Sequence, residues 1–455
     1  MTLSEFSSVT LAKWAATADA SAQALIESAG AAFADTLACM LGGRNDSATQ
    51  AVLQAARATH GAGEAAVWGT GQTLSPAGAA LVEATAAHAL DFDDNFAPAI
   101  SHASAVLVPA LLAMAAGRSA ISGVDLMQAY CIGLEVQARI GAVMQPEHYG
   151  AGWHSTSTVG AIGAAAACAR LIGADGDAMA RAMSLAYSQS SGSKLQFGSE
   201  AKPTHAGLAA RAAVTAAALA EAGLGAKPEF VAGPWGMADL FAGTERAMVL
   251  DDLGTSWALL TDGLMVKRFP CCAASHRALD GVEFLMTEHD FKLVDVERVE
   301  VEMPDLLARN LRYDAPETAA EARFSLSYPV LRLLSGEGLS LFHFTQEAVS
   351  AIEDRTALAR IIRKPVDPGP KGMHRPYGIK ITLRDGDVLF HEQTSLVGTI
   401  GQPLSQAQMD TKIADCLAWA GLKGWEGRFD AALGALPETP DVLACLAPLA
   451  EGGQA

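Results

Sequence analysis

Residues 152–173 read GWHSTSTVGAIGAAAACARLIG. A Ser/Thr cluster suited to capping a helix is followed by alanines and glycines with no charge before Arg170. Such a run is a helix buried on most sides, and small residues at Gly160, Gly163 and Ala164 to Ala167 let neighbouring backbones approach. Two other segments share this texture, SHASAVLVPALLAMAAG at 101–117 and KPTHAGLAARAAVTAAALAEAG at 202–223. From residue 1 to about 265 such runs alternate with short breaks like GGRND and GADGD, so the spacing predicts a large all-helical domain. No internal repeat of solenoid length is present.

Near residue 293 the pattern changes. VDVERVEVEM (294–303) alternates Val296, Glu297, then Val299, Glu300, Val301, Glu302 and Met303, which is strand-like. GIKITLRDGDVLFHEQTSLVG (378–398) places Ile379, Ile381 and Leu383 before the turn Arg384-Asp385-Gly386-Asp387, and Val388 and Phe390 after it, a hairpin signal. Helical stretches are expected around 318–335 and 344–363. Residues 266–400 therefore form a smaller α+β domain. After Pro403 the capping-box pattern Ser405-Gln406-Ala407-Gln408 opens another helix. A terminal piece as short as 401–455 packs back on the first domain, which makes the α+β unit an insertion.

The 455-residue length exceeds one hydrophobic core and agrees with two domains. Half the residues are apolar and 18% are charged, a composition for a large buried interior rather than disorder. A formal charge of −18 argues against nucleic acid or an anionic membrane as partner, and makes local basic residues informative. The seven cysteines are scattered without a CxxC pair, and those within apolar runs are expected as buried thiols. MTLSEFSSVTLAKWAA lacks a basic segment followed by an apolar block, and Ala103–Gly117 falls short of the ~20 residues of a membrane span, so a cytoplasmic location is expected.

Four of the eleven histidines stand at or just before a helical run: His102, His154, His205 and His276. Helix N-termini carry unpaired N–H groups and a partial positive charge that attract anions, and histidine is the side chain best matched to proton transfer near neutral pH. His154 follows Tyr149 and Trp153 at the mouth of a helix. It is either a satisfied structural histidine or a neutral general base, because the dipole disfavours imidazolium there. Lys202 precedes Pro203, taken as the first helical position, where the dipole opposes its charge and an anionic ligand would explain it. Lys267 and Arg268 precede the turn before His276. Tyr328, near Arg323 and Ser325, is a proton donor or a core-edge phenol. HALDFDDNF (88–96) sets Asp91, Asp93 and Asp94 at a helix end, ordinarily a solvated one.

Some chemistries lose weight. There is no EF-hand loop, and His391-Glu392 is not followed by the second histidine of HExxH, so no metal site is expected. Nor is there a phosphate-binding glycine motif or a GxSxG elbow, which disfavours nucleotide dependence and serine hydrolysis.

Taken in order, HALDFDDNF…SHAS, GWHSTSTVGAIGAAAACARLIGAD, GSEAKPTHAGLAARA, KRFPCCAASHRALDG, RFSLSYPV and SQAQMDTKIADCLAW resemble the MmgE/PrpD family over nearly the whole chain. That family includes 2-methylcitrate dehydratase, cis-aconitate decarboxylase and iminodisuccinate epimerase. The resemblance implies a helical domain built from both termini, an inserted α+β lid, a homodimer and a site without organic cofactor. It assigns site roles to Asp91, His102, His154, Lys202, Lys267 and Tyr328, with Tyr149, His205 and His276 in support. Lysines 202 and 267 would hold the carboxylates of a small di- or tricarboxylate. His154 would move a proton on one face, with His102, oriented by Asp91, or Tyr328 on the other. A dehydratase is the favoured reaction, followed by an epimerase and a decarboxylase. The rival from another class is a helical dimer that only binds carboxylates or scaffolds a partner.

Overall fold

The computed structural model describes residues 8–352 and 354–451. The first seven residues, part of the stretch judged to lack a leader, lie outside the described residues. Contacts divide the chain into two units. One holds the residues up to Leu195, Ala201–Met265 and the tail from Cys416, and the other holds Gln196–Glu200 and Val266–Asp415.

The first unit begins with helices α1 (Ser8–Thr17), α2 (Gln23–Gly43) and α3 (Ser47–Thr59). A two-stranded ribbon of β1 (Ala65–Val67) and β2 (Gln72–Leu74) follows. Then come α4 (Pro76–Ala89), α5 (Ser104–Ala115), α6 (Gly123–Met144), α7 (Glu147–Gly150), α8 (Ser155–Leu171), α9 (Gly176–Tyr187) and α10 (Ala201–Glu221). α8 is the centre of this unit and packs against α5, α6, α9 and α10, while α10 also lies along α4. Every α8 residue from Ser155 to Ala169 is buried. The small side chains seen in its sequence are what permit so many neighbours.

The closest approach is to α6. A Cβ built at Gly163 would stand 2.6 Å from the Gly133 carbonyl oxygen, backbone that has no freedom to withdraw. Gly163→Ala is therefore expected to cost about 1–3 kcal/mol of stability through overpacking, measurable by urea unfolding. An unchanged midpoint would mean that the two helices do not meet there.

Among the described residues one helix, α2, is long and apolar enough to cross a membrane by length and composition. It packs against α4 and α6 and buries Asp35 along with Phe33 and Leu37. The tail closes onto the same unit: Gly69 and Gly71 N–H groups donate to the Leu449 and Ala450 carbonyls, and Val442 N–H to Ile121 O.

The second unit is built on four strands, β3 (Val296–Pro304), β4 (Ile361–Val366), β5 (Tyr377–Leu383) and β6 (Val388–Gln393), in the order β4-β3-β5-β6. β3 runs parallel to β4 and antiparallel to β5, and β5 and β6 form the hairpin, pairing Tyr377 with Gln393 through Thr382 with Val388. The inward residues Val299, Val301, Met303, Ile379 and Ile381 meet Leu279, Val282 and Leu285 of the helix Ala273–His289 in one core. The phase break in VDVERVEVEM is a bulge: the β3–β5 register shifts between Val296 and Arg298.

Three expectations needed correction. The stretch 344–363 is not one helix but Gln346–Ser350, a 3₁₀ segment Arg355–Arg360 and then edge strand β4. Its Ile361-Ile362 pair fits a strand, and Pro365 is tolerated at a sheet edge. Likewise 318–335 splits into Ala319–Ala322 and Ser327–Leu334, the second opened by Ser325 Oγ accepting from Tyr328 N–H at 3.1 Å. Finally, the second unit extends past residue 400. Asp415 accepts from Leu341 N–H at 2.8 Å, inside the helix Gln406–Trp419 whose Ser405/Gln408 capping box forms as expected. Gln196–Glu200 joins this unit too, because the Phe197 ring packs tilted against Phe324 at 5.5 Å and its carbonyl accepts from the Tyr313 hydroxyl at 3.3 Å.

Candidate functional site

α4 ends at Ala89, and the chain turns through Asp91 in the left-handed region (φ 51°), a conformation aspartate tolerates. That turn points the acidic residues inward. Asp91, Asp93 and Asp94 are all at most 3% exposed, so the solvated helix end expected from sequence is not what forms.

Each carboxylate has its own partner. Asp91 forms an ion pair with Lys202 at the start of α10, and both side chains are 4% exposed. Asp93 Oδ2 accepts from His88 Nδ1 at 2.8 Å and lies 3.1 Å from His102 Nδ1. Burial opposes the Asp93 charge, but the His88 and His102 imidazoles outweigh it and hold the carboxyl well below its usual range. Asp94 accepts from Ser104 N–H at 3.4 Å and is pushed up to about 7 by burial. His102 is therefore oriented by Asp93 rather than by Asp91, which serves the lysine instead.

His154 is the N-cap residue of α8, and its side chain makes no capping bond, which leaves the imidazole for other contacts. Its N–H donates to Gly192 O at 3.0 Å, and its Nδ1 lies 3.0 Å from His205 Nδ1 in the first turns of α10. Its ring stacks on His88 at 5.7 Å and meets His102 edge-on at 6.4 Å. His102 is anchored to the same helix start, since its N–H donates to Thr156 Oγ1 at 3.0 Å.

Burial is the main cause of the histidine shifts. It pushes His154 well below its ordinary value, with His88, Lys202, His205 and His102 adding to the fall. It takes His88 to about 3, against the opposing pull of Asp93, and His205 to about 4, assisted by Lys202. These three imidazoles are neutral at physiological pH, the form that both accepts and, on its other nitrogen, donates a proton.

His88, His102 and His154 each offer a nitrogen within 4.8 Å of the others, and Asp91 and Asp93 extend that donor set on one side. His88, Asp91, Asp93 and His102 lie in one stretch of sequence, but their spacing matches no common metal motif, and His154 is distant along the chain. The nearby Lys202 charge, which lowers His88 and His154, works against an added cation.

Not every residue singled out joins this cluster. Tyr149 lies under Lys194, whose Nζ is 3.5 Å from its ring centroid. Lys267, His276 and Tyr328 belong to the second unit. Lys267 is fully buried there. His276 donates from Nε2 to Cys271 O at 3.1 Å, edge-on to Phe269. The Tyr328 hydroxyl donates to His343 O and accepts from Arg332 Nε at 3.3 Å, which engages its proton as a core-edge phenol's would be. Six of the seven cysteines are buried, and burial pushes the Cys131 thiol up to about 12.

His88 is what sequence reasoning missed, and Asp93 stood out only as part of an apparently solvated helix end. The signal lay in HALDFDD: a histidine in the last turn of α4 followed five residues later by an aspartate just beyond the helix end.

Comparison with known proteins agrees with the ordered motifs. Residues 9–249 match the MmgE/PrpD N-terminal domain and residues 269–423 the MmgE/PrpD C-terminal domain. A human cis-aconitate decarboxylase is 28% identical over 361 residues, 76% of this chain and 74% of that protein. The mouse cis-aconitate decarboxylase is 28% identical over 362 residues, 76% and 73% of the two chains. An Aspergillus terreus cis-aconitate decarboxylase is 29% identical over 265 residues, 55% and 54% of the two. The two matched family domains, together with the helical unit and the small mixed sheet, show that the chain belongs to the MmgE/PrpD family.

Proposed function

We propose that this protein is a lyase acting on a small di- or tricarboxylate through proton transfer at a carbon next to a carboxylate, without an organic cofactor. The observation that carries the reading is the gathering of ring nitrogens of His88, His102 and His154 within 4.8 Å of one another, with His88 and His154 held neutral by burial, beside the buried Lys202–Asp91 pair. The starts of α8 and α10 add partial positive charge at His154 and Lys202. A substrate carboxylate competes with Asp91 for Lys202, and its neighbouring carbon then faces an imidazole that takes a proton without first losing one. Lys202 and the helix ends stabilise the enolate-like charge that develops. His102, held by Asp93, is the second proton-transfer group.

Two reactions follow from that shared step. Water elimination takes a proton and expels hydroxide from the next carbon, whereas decarboxylation loses CO2 and puts a proton in its place. The curated relatives named for cis-aconitate decarboxylation favour the second, with water elimination the reaction expected from the motifs. Incubating chelator-treated protein in D2O with a carboxylate panel, followed by proton NMR, separates CO2 loss, olefin formation and stereoisomer formation. An intact protein that turns over no member of the panel would instead support the scaffold reading.

A further inference from the structure

His205 faces His154 nitrogen to nitrogen, Nδ1 to Nδ1 at 3.0 Å. Two neutral imidazoles at that distance share one proton, so one ring carries hydrogen on Nδ1 and the other, bare at Nδ1, carries it on Nε2. The pair is held rigidly. Gly192, at φ 127°, accepts the His154 N–H on its carbonyl at 3.0 Å, and a Cβ there would stand 3.4 Å from His205 Nδ1 and 2.9 Å from Ser157 Cβ. Ser157 Oγ in turn donates to His205 O at 3.2 Å. His205 retains 7% exposure against 1% for His154, so it is the ring of the two nearer to solvent.

We infer that His205 is a positioning and relay residue: it sets which nitrogen of His154 is protonated and carries the proton between His154 and solvent. This rests on the proposed proton-transfer role of His154. In the base direction, the Nε2 lone pair of His154 takes the substrate proton and the C–H electron pair stays on carbon. The Nδ1 proton of His154 passes to Nδ1 of His205, and the Nε2 proton of His205 leaves to water. Both rings end neutral, His154 protonated on Nε2 and His205 on Nδ1. His154 is now an acid, and the reverse sequence delivers a solvent proton to a carbanion. The relay keeps imidazolium from accumulating beside the Lys202 ammonium, where burial makes a second charge costly.

The test has two arms. Nitrogen NMR of the full chain with 15N-labelled histidine reads the tautomers directly and needs no turnover. The relay requires one ring of the pair protonated on Nδ1 and the other on Nε2, and both rings protonated on Nε2 would overturn it. In the second arm His205→Gln keeps a hydrogen-bonding side chain but cannot pass a proton. Exchange of substrate hydrogen with D2O should fall about tenfold or more relative to turnover. Exchange and turnover at wild-type rates would overturn the relay. A wild type that shows the shared-proton tautomers but no carboxylate turnover would contradict the lyase reading and leave the histidine pair standing.

Discussion

His154→Gln is expected to lower kcat by about a hundredfold or more, with KM for the carboxylate little changed. The split follows from what the imidazole is. Burial keeps it neutral, so it contributes proton transfer and not charge attraction, and the anion-holding groups remain when it is replaced. The native N-cap side chain makes no cap bond, so the substitution removes none and α8 should still begin at Ser155. Steady-state kinetics beside a thermal unfolding curve check both statements. Wild-type kcat in a folded variant would remove His154 from the mechanism.

The largest stability effect is expected at the ion pair. Lys202→Met leaves the Asp91 carboxylate buried without its cation, and breaking a buried pair in that way costs about 3–5 kcal/mol. The double variant Lys202→Met with Asp91→Asn removes the stranded charge and should recover most of the loss, asparagine being tolerated at φ 51°. Urea unfolding of the two single variants and the double variant gives the coupling directly. If Lys202→Met cost less than about 1 kcal/mol, the pair would be behaving as a solvated surface contact. Activity should fall in both variants, because the ammonium is also the proposed anchor for substrate.

Much of the fold was legible from texture. The alternation of Ile379, Ile381 and Leu383 before an Asp-Gly turn gave the β5–β6 hairpin, whereas the skipped beat at Arg298 read only as strand and not as the bulge that forms there. β4 was not legible. IIRKPV is a short apolar run, and its strand character comes from lying parallel to β3, a long-range pairing that periodicity does not encode.

The site divides in the same way. Histidines at helix starts stood out because capping signals locate helix ends, and His102, His154 and His205 do gather in one unit. His88 did not stand out, since a histidine in the last turn of an alanine-rich helix resembles any other core position. The three aspartates looked solvated because a sequence shows where a helix ends but not which way that end faces. Pairing Asp91 with Lys202 and Asp93 with His102 depends on α10 and the segment before α5 meeting the same turn, across a separation of 111 residues in the first case. Only tertiary structure supplies that.

The most direct measurement is solvent-deuterium incorporation at the carbon next to a carboxylate, with cis-aconitate and related di- and tricarboxylates, comparing wild type with His154→Gln. For CO2 loss the account predicts incorporation coupled to product formation in the wild type, and for water elimination exchange into the recovered substrate, each lower by about a hundredfold in the variant. A CO2-loss product without deuterium at that carbon, or equal incorporation by both proteins, would contradict it.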